Sequence, residues 1–451
     1  MKYKSYPEYK ETEIECIAEI PKNWVLIKLK YILSTLQSGK RENLEIKDND
    51  AAFSIGGEHL NNNGTLKLNK VRLISKEFYN SMNSGKIQNG DILLVKDGAT
   101  IGKTALISKK PYKNMAVNEH VFILRPNNKI NSLFLYYLIS GVDGFEQIKL
   151  TETGSAQGGI NTGFTDKVWF SMPEDKNEID FISNFLDKKN DEIDKLIEKD
   201  KKLIELLHER RTALINHVVT KGLNPNARMK DSGIEWIGKI PEGWEIDKMK
   251  NVADVSISNI DKKSKPSETD ILLCNYIDVY RNDFINNPIE FMKATASHEQ
   301  IKKLSLFKND ILITKDSETP DDIAVPALVL EDLKNVVCGY HLALLRPNQN
   351  RILGRYLFRA LQSKILNQQF TINANGITRF GISTYPIKNS MIVIPSIEEQ
   401  QKIANYLDEK TSKIDSTIQK IQQKINLLEE YKKSLIHHVV TGKVDVRSVK
   451  V

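Results

Sequence analysis

Apolar residues recur at alternating steps of four and three along two stretches of the chain. Ile193, Ile197, Ile204, Leu207, Leu214 and Val218 fall on one such line, with Asp200 and Arg211 at its two polar positions. Ile414, Ile418, Ile421, Ile425, Leu428, Leu435 and Val439 repeat the pattern, with Lys432 as the polar member. A stripe that returns every 3.5 residues is the narrow seam of a coiled coil, not the broader face that a helix lays on a globular core. Neither run contains Gly or Pro, and Gly222 and Pro225 follow the first as stop signals. Some 38 helical residues at 1.5 Å each would reach roughly 55–60 Å. The polar seam positions would hold register at some cost in stability.

Between these stretches the pattern changes. Short apolar runs bounded by Gly, Asn, Asp or Pro read as strands: ILLVK from Ile92, VFILRP from Val121, ILITK from Ile311 and LALLRP from Leu342. Leu133 to Ile139 and Tyr356 to Leu361 read as short buried helices, with strand the alternative for the first. These elements are written twice. Leu186 maps onto Leu407 at a shift of 407 − 186 = 221, and at that shift roughly half the positions from Ile182 to Thr220 are identical without a gap. IECIAEIPKNW from Ile14 parallels IEWIGKIPEGW from Ile234, and His120 opens HVFILRPN as His341 opens HLALLRPN. The expected fold is α+β, with two pseudo-repeated globular domains separated by two long helices. The expected segments are 1–178 (globule), 179–222 (helix), 223–395 (globule) and 396–451 (helix). A seam alone would equally suit a parallel homodimer. Two seams in shared register on one chain favour an intramolecular coiled coil, and a two-fold relation between repeats makes it antiparallel.

Composition narrows the function. The 451 residues carry 65 basic and 58 acidic side chains, a net charge of +7, which permits a polyanionic partner without requiring one. Three cysteines, Cys16, Cys274 and Cys338, have no C-x-x-C spacing, arguing against a disulfide framework or structural zinc and fitting a reducing cytoplasm. No secretory h-region opens the chain, and no apolar run approaches the ~20 residues of a membrane span.

GATIGKT, Gly98 to Thr104, tempts as a phosphate loop. It has three residues where the motif needs four, and Asp97 stands at the required first Gly. A tight turn between strands is the better reading. His120 and His341 read as satisfied structural histidines, as do His217 and His438 near the helix ends. No metal-hydrolase, nucleophile-elbow or dinucleotide motif is present, nor the Pro-Pro-aromatic tetrad of amino-methyltransferases. The Pro-Glu-Asp-Lys string at Pro173 supplies an acidic first turn to the helix that follows. Residues able to grip nucleic acid gather instead in amide- and cation-bearing loops. The candidates are Lys40, Arg41, Glu58, His59, Lys96, Lys103, Gln157 and Asn161 in the first half. In the second they are Lys262, Lys263, Tyr276, Lys315, Asn375, Thr378 and Arg379. Asn and Gln can pair with adenine and Arg and Lys with guanine, while other cations position the protein on phosphates. The loops from Ser155 to Gly163 and from Asn373 to Phe380 fall at equivalent places in the two halves.

With these features together, the chain resembles the specificity subunit of type I restriction–modification systems over essentially its whole length. The resemblance is carried by Gly233-Ile234-Glu235-Trp236-Ile237-Gly238, Ile240-Pro241-Glu242-Gly243-Trp244 and Gly90-Asp91-Ile92-Leu93. Ile394-Pro395-Ser396-Ile397-Glu398-Glu399-Gln400 leading into Tyr406-Leu407-Asp408, and the two HVVT helix ends, add to it. The first copy departs from it. Met172 to Asp180 replaces a Pro-x-x-Glu-Gln stretch, and Cys16 replaces the signature Trp. The resemblance implies two target-recognition domains reading the halves of a split site in double-stranded DNA. It implies helices that act as a ruler and dock two methyltransferase subunits, joined by restriction–translocase subunits. S-adenosylmethionine, Mg and ATP are then expected on those partners and none on this chain. Half-site centres about one helical turn apart, ~34–36 Å, and an asymmetric target follow from two unlike heads on one spacer. The rival readings are a coiled-coil scaffold whose globules bind protein partners, and a nucleotide enzyme built on Gly98 to Thr104.

Overall fold

Both seams are unbroken helices, Lys176–Lys221 and Ile397–Val440. The computed structural model describes residues 3–14, 17–42, 51–154 and 158–449, so Cys16 and Gln157 lie outside the described residues. The chain divides into two compact units, residues 1–200 with 423–451 and residues 201–422. Each unit therefore contains the beginning of one long helix and the end of the other.

In the first unit Asp194 meets Lys432 at 2.6 Å and Asp200 meets Lys424 at 2.8 Å. The partner number falls as the helix number rises, so the paired segments run antiparallel. In the second unit Arg211 reaches Asp415 at 3.0 Å and Asp283 at 2.7 Å. Arg211 and Lys432 are repeat equivalents, as are Asp194 and Asp415 (432 − 211 = 415 − 194 = 221), so one ion pair is made twice. Of the seam residues, Ile193, Ile197, Ile425 and Leu435 are buried, while Ile204, Leu207, Leu214, Ile414, Ile418 and Leu428 are half-buried.

The globular parts share one plan. In the first unit, strands Leu33–Ser38, Val121–Pro126, Ile92–Val95 and Thr104–Leu106 form an antiparallel sheet in that order. Ala52–Ile55 pairs with Arg72–Ile74 and, in parallel, with Met115–Val117. In the second unit Ala253–Ile257, Leu342–Pro347, Ile311–Thr314 and Pro326–Val329 repeat the first sheet, and Phe284–Ile285 adds a fifth strand. Thr269–Cys274 repeats the second sheet between Met292–Ala296 and Val336–Cys338. The expected strands are all found, with Lys96 and Lys315 just beyond their ends. Leu133 to Ile139 lies in the helix Ser132–Ser140, which removes the strand alternative. Each main sheet is tied by a buried two-pronged ion pair. Arg125 holds Asp91 at 2.7 and 2.9 Å, and Arg346 holds Asp310 at 2.9 and 2.8 Å.

Entry to each long helix is fixed by a tryptophan. Trp24–Lys28 pairs with Trp169–Pro173, and Glu245–Lys248 pairs with Met391–Ile394, delivering the chain to the first and second helix respectively. The Trp24 indole N–H donates to Glu178 at 3.0 Å, and that of Trp244 to Glu399 at 2.8 Å. Both carboxylates sit in the first helical turn, where the helix dipole favours negative charge. Glu178 thus does in the first copy what Glu399 does in the second, although the surrounding string differs. It also accepts from Tyr6 (2.8 Å) and Asn23 (3.1 Å). The opposite helix ends on the same tryptophan. Gly222 (φ 77°) closes the first helix against Trp244, and Gly442 (φ 73°) closes the second against Trp24, where a Cβ would collide with Pro21. The second helix therefore stops at Val440, short of the expected helical segment, and Val444 and Val446 pack into the core of the first unit.

Cys274 and Cys338 are buried, and burial pushes both thiols up. Among the described residues no helix is long and apolar enough to cross a membrane, and no group of three or more His, Cys, Asp or Glu could hold a metal ion.

Two outcomes follow from this packing. Glu178→Ala strands the buried Tyr6 hydroxyl and Trp24 indole donors and should lower unfolding stability by about 3 kcal/mol, as measured by denaturant titration. Cys274 and Cys338 should resist alkylation in the native chain and react once it unfolds, as read by peptide mass spectrometry.

Candidate nucleic-acid interface

The site grows from the end of the central strand of each main sheet. After Ile92–Val95 come Lys96 and Asp97, and after Ile311–Thr314 come Lys315 and Asp316. The carbonyl of Lys96 accepts from the Ile160 N–H at 2.7 Å, and that of Lys315 from Ile382 at 2.8 Å. The two amide-rich loops are thus pinned at the same place in each unit, as their sequence positions suggest. Next to them the matched histidines pack against the aspartates. His120 Nδ1 lies 2.5 Å from Asp97, and His341 Nδ1 lies 2.6 Å from Asp316. Each histidine is thus held by a carboxylate at a matched place.

A second matched feature faces the same area. Ile55 and Cys274 occupy equivalent places, pairing with Val117 and Cys338. A short turn follows each. In the first unit the Gly56 N–H donates to His59 Nδ1 at 2.9 Å, and in the second the Asn275 N–H donates to Asp278 at 2.7 Å. His59 is buried and spent on closing this turn, so it stands in for a carboxylate and not among exposed contacts. Between the closing residues, Gly57 and Glu58 occupy the positions of Tyr276 and Ile277.

In the second unit the candidates converge. Lys262, Tyr276 and Arg379 line a cavity of about 370 Å³ with Ile277, Tyr340 and His341. Thr378 and Arg379 border an adjoining hollow with Tyr276 and Tyr280. Tyr276 stacks on Tyr280 with centroids 5.4 Å apart, and the Tyr280 hydroxyl donates to Asp322 at 2.6 Å. Lys315 is half-buried, its ammonium 4.7 Å from the centre of the Tyr340 ring. Asn375 bridges to Gly381 at the loop base, and Lys263 is exposed outside the cavity lining.

In the first unit the candidates form a chain of charges. Lys96 lies 3.7 Å from Asp97, and His120 Nε2 lies 3.2 Å from Glu119. Arg41 Nε is ion-paired with the same Glu119 oxygen at 2.9 Å. The other oxygen of Glu119 is enclosed without a hydrogen-bond partner among the described residues. Glu58 is exposed beside Asn118, and Lys40 is exposed next to Arg41. Asn161 caps a short turn by accepting from the Gly163 N–H, and Lys103 is half-buried. Gly98 to Thr104 is a pair of tight turns between strands, with Gly98 and Gly102 at φ 85° and 86°. A strand follows where a phosphate loop would open a helix, so the nucleotide reading has no structural support.

The description "Type I restriction modification DNA specificity domain" matches residues 21–205 and again 241–429. The chain belongs to this family. It is 22% identical over 444 residues to the type I restriction enzyme MjaVIII specificity subunit of Methanocaldococcus jannaschii, covering 95% of each chain. A putative MjaX specificity subunit of the same organism is 24% identical over 457 residues, covering 98% of this chain and 97% of the relative. Among solved structures, a chain from work on complex assembly and conformational transition of the type I R-M system aligns with TM-score 0.65. Its identity is 13%, over 94% of this chain and 99% of that one. The HsdS subunit from Thermoanaerobacter tengcongensis aligns at TM-score 0.52 and 14% identity, over 94% and 98%. At these identities the structural likeness speaks for the fold. The specificity subunit supplies DNA sequence recognition and is not the catalyst.

Three members of this specificity subunit's surface escape sequence reading: Glu119, Ile277 and Tyr340. The available signal was positional. Glu119 and Tyr340 each precede the matched histidine, where an otherwise repeated string changes character.

Arg379→Ala should weaken binding to the cognate duplex by about 1–3 kcal/mol and relax the preference at one base pair. Equilibrium titration against the cognate duplex and single-position variants measures this.

Proposed function

We propose that residues 1–178 and 223–395 are target-recognition domains that each read one half of an asymmetric split site in double-stranded DNA. The segments 179–222 and 396–451, which carry the long helices, would set the gap between the halves. One observation carries this reading. A frame made twice, with the same sheets and the same Arg–Asp, His–Asp and Trp–Glu pairs, carries unlike residues at equivalent positions. Gly57, Glu58 and Glu119 stand in the first unit where Tyr276, Ile277 and Tyr340 stand in the second. Identical heads would select a repeated half-site; unlike heads select two different ones. The candidates Lys40, Arg41, Glu58, Lys96, Lys262, Tyr276, Thr378 and Arg379 are the contacts that this reading assigns to DNA.

Apolar side chains left exposed on the helices support docking of methyltransferase subunits. Leu203 and Leu206 are 44% and 50% exposed on the first helix, and Leu427 is 65% exposed on the second. Such exposure on a helix marks a protein-binding surface more often than a DNA-binding one. S-adenosylmethionine, Mg and ATP then belong to the modification and restriction partners, and the assembly works in the cytoplasm.

Exchange of residues 1–178 for the corresponding segment of another specificity subunit should change one half of the recognised sequence and leave the other half and the gap intact. Selection from a random duplex library, followed by sequencing, reads the result. A change in both halves would refute separate reading.

A further inference from the structure

We propose that Glu119 and His120 are positioning residues that present the terminal amino pair of Arg41 to a guanine edge in the first half-site. This rests on the split-site reading and adds a mechanism for one of its base contacts.

The argument begins with which atoms are already engaged. Arg41 is ion-paired to Glu119 on its Nε side at 2.9 Å, while its side chain stays 45% exposed. A guanidinium anchored on that side keeps its two terminal nitrogens as the fork it can offer. Two donors side by side match O6 and N7 of guanine in the major groove, the commonest specific arginine contact. An isolated ion pair at a surface fixes neither partner, but this one is braced from behind. The Glu119 oxygen beside Arg41 also lies 3.2 Å from His120 Nε2, an ion pair when the imidazole is protonated. His120 is held in turn through Nδ1 by Asp97 at 2.5 Å. Its backbone is fixed at the head of Val121–Pro126, where its N–H donates to Asn118 at 2.9 Å. Asp97, His120, Glu119 and Arg41 thus form a line of contacts running from the end of the central strand to an exposed fork.

The brace is peculiar to the first unit. Tyr340 replaces Glu119 in the second, and the arginine nearest His341 is Arg379 from a different loop, with Nη2 3.5 Å from His341 Nδ1. Loss of the brace should therefore show in one half of the target only.

The test uses the full-length chain in selection from random duplexes, followed by binding to single-position variants of the selected site. Wild type should favour guanine at one position of the first half-site by about 10- to 100-fold. Arg41→Ala should abolish that preference. Glu119→Ala should reduce it at the same position to within about threefold, and Glu119→Gln, which keeps an oxygen beside the Nε edge, should restore most of it. The second half-site should be unchanged in every variant. Full guanine preference in Glu119→Ala overturns the inference while leaving split-site reading intact. So does an equal loss of affinity for all sequences, or an effect at a position that Arg41→Ala does not touch. A wild-type chain that enriches no sequence would instead sink the split-site reading, and this inference with it.

Discussion

The indole–carboxylate pair made by Trp24 with Glu178, and again by Trp244 with Glu399, is the joint on which both units depend. An indole N–H in a buried place must find an acceptor, and here the acceptor comes from the opening turn of a long helix. The same ring also receives the far end of the other long helix at Gly442 or Gly222. Each joint therefore clasps the start of one helix and the finish of the other. With both clasped, the two seams must run in opposite directions, and the Asp194–Lys432 and Arg211–Asp415 pairs fall into register without a further device.

Upon this joint the molecule separates what must stay constant from what must vary. The Asp91–Arg125 and Asp310–Arg346 pairs are buried at the aspartate, and removal of either partner would leave an uncompensated charge. Such pairs tolerate little change. The turn between Gly56 and His59, or between Asn275 and Asp278, needs only one inward acceptor to close. Of the residues between, Glu58 and Ile277 are exposed and free of packing, and can be chosen for the DNA they face. One unit offers small and acidic groups there, the other an aromatic and an aliphatic one.

The periodic parts of this design were legible in the sequence. A 3.5-residue stripe survives wherever a helix packs along a partner, and a constant shift of 221 announces a duplicated helix without any structure. The strands and the equivalence of the two amide-rich loops were also readable, because turn residues bound them. The role of Glu178 was not, since its neighbours had drifted while its geometric duty persisted. His59 misled for the opposite reason. An imidazole can replace a carboxylate as acceptor in a turn, and nothing in the local string separates that duty from a surface contact. Glu119 and Tyr340 were invisible because a position free to vary leaves no pattern, and only the matched histidine beside each locates it.

The first unit is discontinuous in the chain: residues 423–451 complete a core begun by residues 1–200. The second unit, 201–422, is one uninterrupted stretch. During synthesis the later-made unit can consequently close first, reversing the usual N-terminal-first order. The earlier one waits on the ribosome with Trp24 and its apolar neighbours uncovered until Val439, Val444 and Val446 arrive. That interval gives chaperones a natural substrate, and loss of the residues after 422 would leave the earlier-made unit without the side chains that complete its core.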